Sequence, residues 1–431
     1  MPVSALQLPQ EVWVHVFSFL TDKEKGDIRA TCRYFRRLID LPSLWKSSPA
    51  VVKRISAGSS GFWTTLRRRR TGSVLVKAGV TQWEQLATSL PWLTALAIEQ
   101  CRNDSVLQTL QRFRKLKRLV MRGFHCTSTL PSLLAPLQQL THLTLCEPHC
   151  SQTVELIAGV SQLTNLRSLV FHEGLKPIPK QSFQDMLGRL PHLKELSLKV
   201  ETSPFPLPAD YFALPRVAPE KTEPHATSLG LTRLELLNYR DSVLSQTSIE
   251  QLSSLQSLAI YFHPEAVASG SCHLETLVRE LPCLTELTVA RGYPFSVYVR
   301  SIPPSLKSLS LSRVAVSAKD MKTLGSRTAG LRHLQMDMCT SDRQWSVLDF
   351  PQFFPQLRTL QLRHCNVAVE ELVGLAKLRH LEKVAVLDAH LCDGGTLQRT
   401  FQKLKSLTDN RLQILHSLLP LDPMACSCAR L

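Results

Sequence analysis

Four side chains able to ligate zinc lie within nine residues: His142, Cys146, His149 and Cys150. Imidazole and thiolate together suit a tetrahedral Zn²⁺ site. Their spacing is that of no known finger. His142 and Cys146 fall in an alternating stretch that reads as a strand, with His149 and Cys150 in the turn after it. No metal is therefore expected. The 12 cysteines include no Cys-x-x-Cys pair, and they read as reduced thiols of a chain without a secretory signal. The last four residues, Cys428-Ala429-Arg430-Leu431, have the outline of a prenylation signal, with Cys426 as a second acylation site. Arg430 stands where an aliphatic residue belongs, so a membrane partner enters only if Cys428 is lipidated against that pattern. The sequon Asn103-Asp104-Ser105 reads as accidental. The run Arg67–Arg70 could be a nuclear import signal or a phosphate contact, but it reads more simply as a solvated helix end. There is no H-E-x-x-H, G-x-S-x-G, Walker or G-x-G-x-x-G motif. Nothing in the sequence sets a Ser, a His and an acid together. The expectation is a chain that is not an enzyme and holds no cofactor.

The elements that carry these residues follow from leucine. The chain has 431 residues, 74 of them Leu, with 44% hydrophobic residues and a net charge of +16. That length can bury a large core without disulfide or metal staples. No apolar run reaches the roughly 18 residues of a spanning helix, and the expected location is cytoplasmic and/or nuclear.

The leucines recur as L-x-x-L-x-L. The middle apolar residues of the 12 copies are Leu96, Leu119, Leu143, Leu169, Leu196, Leu234, Leu258, Leu287, Leu309, Leu334, Leu360 and Val384. Their spacing is that of leucine-rich repeats, about 20–29 residues, except for one long step. Period-two alternation makes x-L-x-L-x a strand whose second and third apolar residues face inward. Helical spacing follows, as in Val154, Leu156 and Ile157, then Leu274 and Leu277, then Leu372 and Leu375. A single unit cannot bury its own apolar face, so the units must stack, with a parallel inner sheet and outer helices. The fold class is thus α/β, a leucine-rich solenoid over residues 91–388. Cys101, Cys339 and Cys365 each sit three residues after the last apolar strand position, where a side chain bonds the turning backbone.

The long step holds an insertion, residues 201–226, with six prolines. Proline removes donors and resists helix, so a loop leaving the solenoid is expected. Residues 49–90 read as linker and a degenerate capping repeat, with Val74-Leu75-Val76 as its strand and Trp83, Leu86 and Leu90 as its helix. Residues 389–431 read as a helical cap and tail, carrying Leu397, Phe401, Leu404, Leu412, Leu415 and Leu419.

The first 48 residues do not follow the repeat. They read as short helices, with Pro9 opening the first and Asp22 or Asp27 the second. Four blocks stand in order: Leu8-Pro9-x-Glu11, Val16-Phe17-Ser18-x-Leu20, Cys32-Arg33-x-Phe35-x-x-Leu38 and Leu44-Trp45. This segment resembles an F-box, and an F-box ahead of leucine-rich repeats is the architecture of the F-box/LRR family. The chain differs from that pattern at Lys25-Gly26 and Thr31, where apolar residues are usual, and at Phe35, where Trp is. The resemblance implies a substrate-recognition subunit of an SCF-type cullin-RING ubiquitin ligase. Its F-box would bind a Skp-type adaptor through Leu8, Pro9, Val12, Val16, Phe17 and Leu20, with Leu44 and Trp45 behind them. Its repeats would hold a protein substrate. The other reading is a leucine-rich scaffold or inhibitor with a vestigial F-box.

The outward strand positions carry six basic and five acidic residues over the repeats. A phosphate backbone needs many cations, so no nucleic-acid partner is expected. The preferred substrate contacts are Arg332, His333, Gln335, Arg358, Gln361 and Arg363. Residues 1–80 hold 14 Lys and Arg against 5 Asp and Glu. Skp-type adaptors are acidic, so this end is suited to steer one.

Overall fold

The computed structural model describes residues 8–46, 48–100, 104–125, 130–148, 153–172, 178–200, 206–214, 229–264, 272–339, 346–363, 367–387 and 394–417. His149, Cys150, Cys101, Cys365, Cys426, Cys428 and Asn103 lie outside them.

The chain divides into two compact units, Met1–Val170 and Phe171–Ala429. The first opens with three helices, α1 (Gln10–Ser18), α2 (Asp22–Thr31) and α3 (Arg33–Ile39), and a 3-10 turn at Pro42–Trp45. Strands and helices then alternate: β1 (Ala50–Val52), α4 (Arg54–Ala57), α5 (Ser60–Arg68), β2 (Ser73–Val76), α6 (Trp83–Ser89), β3 (Ala95–Glu99), α7 (Asp104–Leu110), β4 (Arg118–Arg122), α8 (Leu130–Leu134), β5 (His142–Cys146) and α9 (Thr153–Val160), and the division falls within β6 (Ser168–His172). In the second unit come α10 (Lys180–Arg189), β7 (Glu195–Lys199), β8 (Arg233–Tyr239), α11 (Gln246–Gln251), β9 (Ser257–Phe262), α12 (Leu274–Arg279), β10 (Glu286–Ala290), α13 (Phe295–Tyr298), β11 (Ser308–Ser312), α14 (Ala318–Arg327), β12 (His333–Asp337), α15 (Phe350–Phe353), β13 (Thr359–Arg363), β14 (Lys383–Leu387), α16 (Gly394–Leu407) and β15 (Gln413–Ser417). Strand order follows chain order, β1 to β15, in an open parallel sheet.

All 12 leucine motifs become strands, β3 to β14. Their register stacks like on like: Leu96 faces Leu119, which faces Leu143, and Leu287, Leu309 and Leu334 do the same later. These columns are at most 2% exposed. Full burial of each such side chain contributes about 1.5–3 kcal/mol.

A second periodic device lies just past the strands. Gln100, Gly123, Glu147, Arg291, Arg313 and Met338 each follow a strand's last residue and have φ between +49° and +63°. This left-handed step turns the chain and aims the N–H at the next strand, as from Arg313 to the Asp337 carbonyl at 2.8 Å. Only Gly123 has the residue type that adopts it without steric cost. Cys339 caps the same turn in its own unit, its thiol donating to the Leu311 carbonyl at 3.5 Å.

Several expectations need correction. Residues 49–90 hold the expected capping repeat, β2 with α6, but the part ahead of it is not linker: β1 pairs with β2, as β2 does with β3. The cover expected after residue 409 is not helical. Leu397, Phe401 and Leu404 line α16 and are buried, but residues 413–417 form β15, paired with β14. The sheet continues because Ile414 takes the middle position, while Arg411 stands where earlier units have the first leucine and donates to the Leu381 carbonyl. The described part of the insertion, residues 206–214, does not leave the solenoid. Leu207, Tyr211 and Phe212 are buried, Tyr211 stacks on Phe183 at 4.3 Å, and the Ala209 carbonyl accepts from Ser245 N–H at 2.7 Å. Aromatic burial and these backbone bonds hold the segment in place as turns, without the regular structure its prolines resist. Val154 is exposed on α9, whereas Leu156 and Ile157 are buried.

Candidate functional site

The N-terminal helices bury Phe17, Leu38, Ile39 and Leu44 against Trp13, Val14, Leu20, Ile28, Phe35, Leu41 and Trp45. Pro9 is the residue before α1 and does not lie inside it. Thr21, not an aspartate, opens α2: its hydroxyl accepts from Glu24 N–H and Glu24 returns the bond to Thr21 N–H. That reciprocal pair is a capping box. Cys32 caps α3, its sulfur accepting from Phe35 N–H at 3.4 Å.

The departures from the F-box pattern are accommodated locally. Lys25 is 6% exposed, donates to the Leu44 carbonyl at 3.1 Å and lies 5.4 Å from the Trp45 ring centroid. Phe35 packs edge-on against Trp13 and Phe17. Thr31 bonds back to the Ile28 carbonyl. Gly26 has open space at its Cβ position.

Helix phase divides the proposed adaptor contacts. Trp13, Phe17 and Leu20, three or four residues apart, point into the helical core. Leu8, just before the helix, Val12 and Val16, one turn apart on an adjacent face of α1, and Phe19, its C-cap, do not. Their exposures are 40, 41, 42 and 76%. Pro9 is exposed, and Leu20 and Trp45 are half-buried. Phe17 at 1% and Leu44 at 5% support this surface from beneath and do not line it. Phe19 was absent from the sequence reading. Phe19 lies three residues after Val16, and the i+3 step along the helix would have found it. Arg33, Arg36 and Arg37 are exposed on α3.

The arginine run has a different role from a solvated helix end. Asp40, at the end of α3, is 1% exposed. It accepts from Arg29 Nε at 2.9 Å, Arg69 Nε at 2.9 Å and Arg68 Nη2 at 3.1 Å. Arg69 also lies 3.7 Å from the Trp45 ring centroid, within cation–π range. Burial pushes the Asp40 pKa up, but the hydrogen bonds and charges of Arg29 and Arg69 hold it below the usual carboxylate range. Two of the four arginines thus tie α5 to α3.

In the second unit the structure gathers His333, Gln335 and Gln361 around a shallow depression of about 170 Å³ on the exposed sheet face. Ser308, Ser310, Thr359, Lys383 and Ala385 line it with them. Arg332 and Arg358 are exposed beside it. Arg363 stands apart from these, paired at 2.7 Å with a nearly buried Asp337.

A Ser, a His and an acid do meet, contrary to expectation. His172 Nε2 lies 2.7 Å from Ser197 Oγ, and Ser197 donates to Glu235. The single hydroxyl proton goes to the carboxylate, so the ring N–H donates to the serine. A nucleophile needs the reverse, with the ring as base and the acid behind it. Burial, aided by the charge of Lys199, lowers the His172 pKa to about 4. Signal for this group lay only in strand register, which joins β6, β7 and β8. His142 bonds to Thr141 and Cys146 is buried. Among the described residues no group of three or more His, Cys, Asp or Glu is placed to hold a metal. No described helix is long and apolar enough to cross a membrane.

A family model described as F-box-like matches residues 5–48. No curated protein matches the chain. Among solved structures, an internalin from Listeria monocytogenes is similar at 15% identity and a TM-score of 0.36, over 83% of each chain. The TLR13–ssRNA13 complex gives 16% and 0.38, over 80% of this chain and 44% of that one. The Toll–Spatzle complex of Drosophila gives 15% and 0.37, over 82% and 48%. The chain therefore carries an F-box-like domain ahead of an open parallel sheet of the leucine-rich-repeat type.

Proposed function

We propose that the chain is the substrate-recognition subunit of an SCF-type cullin-RING ubiquitin ligase. Its F-box-like domain binds a Skp-type adaptor and its repeats hold a protein substrate. In this reading it is not itself an enzyme and acts in the cytoplasm, the nucleus or both. The observation that carries the proposal is the set Leu8, Val12, Val16 and Phe19, four apolar side chains left exposed along α1 and at its two ends in a domain matched as F-box-like. Contiguous exposed apolar surface of this kind marks a protein interface. The exposed Arg33, Arg36 and Arg37 suit an acidic partner.

Co-purification tests it. The tagged full chain should recover adaptor, cullin and RING subunit together, and Val12→Glu with Phe19→Glu should lose all three. A folded wild-type chain that recovers none of them refutes the proposal.

A further inference from the structure

The exposed sheet face is not uniform in charge. On β3 and β4, Glu99 pairs with Lys77 and Arg122. On β8 and β10, Arg233 pairs with Glu286 at 3.2 Å. On β12 and β13, Arg363 and Asp337 neutralise each other at the outgoing end of the strands. The incoming end of β11–β14 differs. There Lys307, Arg332 and Arg358 precede three consecutive strands and Lys383 opens the fourth. This is the longest basic run along that edge. The one acid among them, Glu382, reaches Arg358 at 3.4 Å. Four cations against one carboxylate leave the rim positive.

Inside this rim lies the depression described above. Gln335 and Gln361 are register partners on adjacent strands, half-exposed, and flanked by the small residues Ser308, Ser310 and Ala385. A carboxamide offers one acceptor and two donors, the complement of a peptide group. Neighbouring strands lie about 4.8 Å apart, so β11 to β14 span about 14 Å, the reach of four or five extended residues. No Phe, Tyr or Trp occupies an outward position on these strands. Single-stranded nucleic acid would lack its usual stacking platform there.

We infer that this face binds an extended segment of polypeptide bearing acidic side chains. Gln335 and Gln361 hold its backbone, and Lys307, Arg332 and Lys383 draw its carboxylates to the incoming edge. The inference names the substrate class for the proposed function and rests on the repeats being the substrate-holding part.

The test is a displayed library of random dodecapeptides panned against the full chain, followed by titration of the best fluorescein-labelled peptide. The expected winners are rich in Asp and Glu. Gln335→Ala with Gln361→Ala, and separately Lys307→Glu with Arg332→Glu, should each weaken binding at least tenfold, and Arg118→Glu on β4 should not. Circular dichroism and adaptor binding on the same samples show that the variants remain folded. Winners without acidic bias, binding indifferent to both double variants, or an oligouridylate that binds this face and displaces the peptide would each overturn the inference. Loss of adaptor binding with an intact peptide site would instead strike only the ligase reading.

Discussion

Replacing Asp40 with Asn should loosen the N-terminal helices from α5. The carboxylate side chain is fully buried and accepts from three arginines. The arginines differ in how much water screens them: their side chains are 28, 49 and 13% exposed for Arg29, Arg68 and Arg69. Exposed pairs contribute about 0–1 kcal/mol, so Arg68 adds little. Leaving a buried partner without its counter-charge costs about 3–5 kcal/mol. Arg69, pinned over Trp45, bears most of this, and Arg29 the rest. A loss of about 3 kcal/mol is a hundredfold change in local opening. Hydrogen exchange followed by mass spectrometry reads it directly. In Asp40→Asn, amides of α1–α3 and α5 should exchange about a hundred times faster, and those of β9–β14 should not change. Arg68→Gln should change exchange less than tenfold. The sign with pH follows from the lowered Asp40 pKa. The stabilisation is complete above the unfolded carboxylate pKa of about 3.9 and is lost as pH falls through the lower native value. A hundredfold effect that already faded near pH 6, or a change below twofold at pH 7, would refute the electrostatic account.

Other outcomes follow from named contacts. The native His172 refuses a proton down to about pH 4, whereas the unfolded ring takes one near 6.5. Stability should therefore fall as pH drops from 6.5 to 4, by up to about 3 kcal/mol, and His172→Gln should flatten that slope in urea titrations. Gly159→Ala would place a Cβ 2.7 Å from the Pro131 Cα, a backbone atom, and should cost about 1–3 kcal/mol in thermal or urea unfolding. Gly26→Ala in α2 meets nothing within 4 Å and should stabilise by about 0.5–1 kcal/mol. Under alkylation by iodoacetamide, the exposed Cys283 should react well before Cys339, whose thiol burial pushes up to about 12.

How much of this was legible can be traced residue by residue. The strands β3–β14 were readable because every unit must present the same buried column, and leucine at fixed spacing records that demand. The F-box-like core was readable from four ordered blocks, and Phe17, Leu38 and Leu44 do lie inside it. β15 was obscured because the end unit has Arg411 in place of a first leucine and His416 facing Val386. The docking of residues 206–214 was hidden because Tyr211 and Phe212 find their pocket on α10, far along the chain. Asp40 and Arg69 are 29 residues apart, and no local pattern announces such a pair. His172, Ser197 and Glu235 meet only through register. The exposed apolar set on α1 was partly visible, but sorting Val16 from Phe17 needs the helix phase that the core sets.

The most direct measurement is the affinity of the full chain for a purified Skp-type adaptor by titration calorimetry. The account predicts saturable one-to-one binding. Val16→Glu should weaken it by about a hundredfold and Phe19→Ala by about tenfold, as loss of central apolar anchors does. Asp22→Asn, outside the apolar set, should leave it unchanged. A folded wild-type chain that shows no heat of binding, or binding equal in all four proteins, would contradict it.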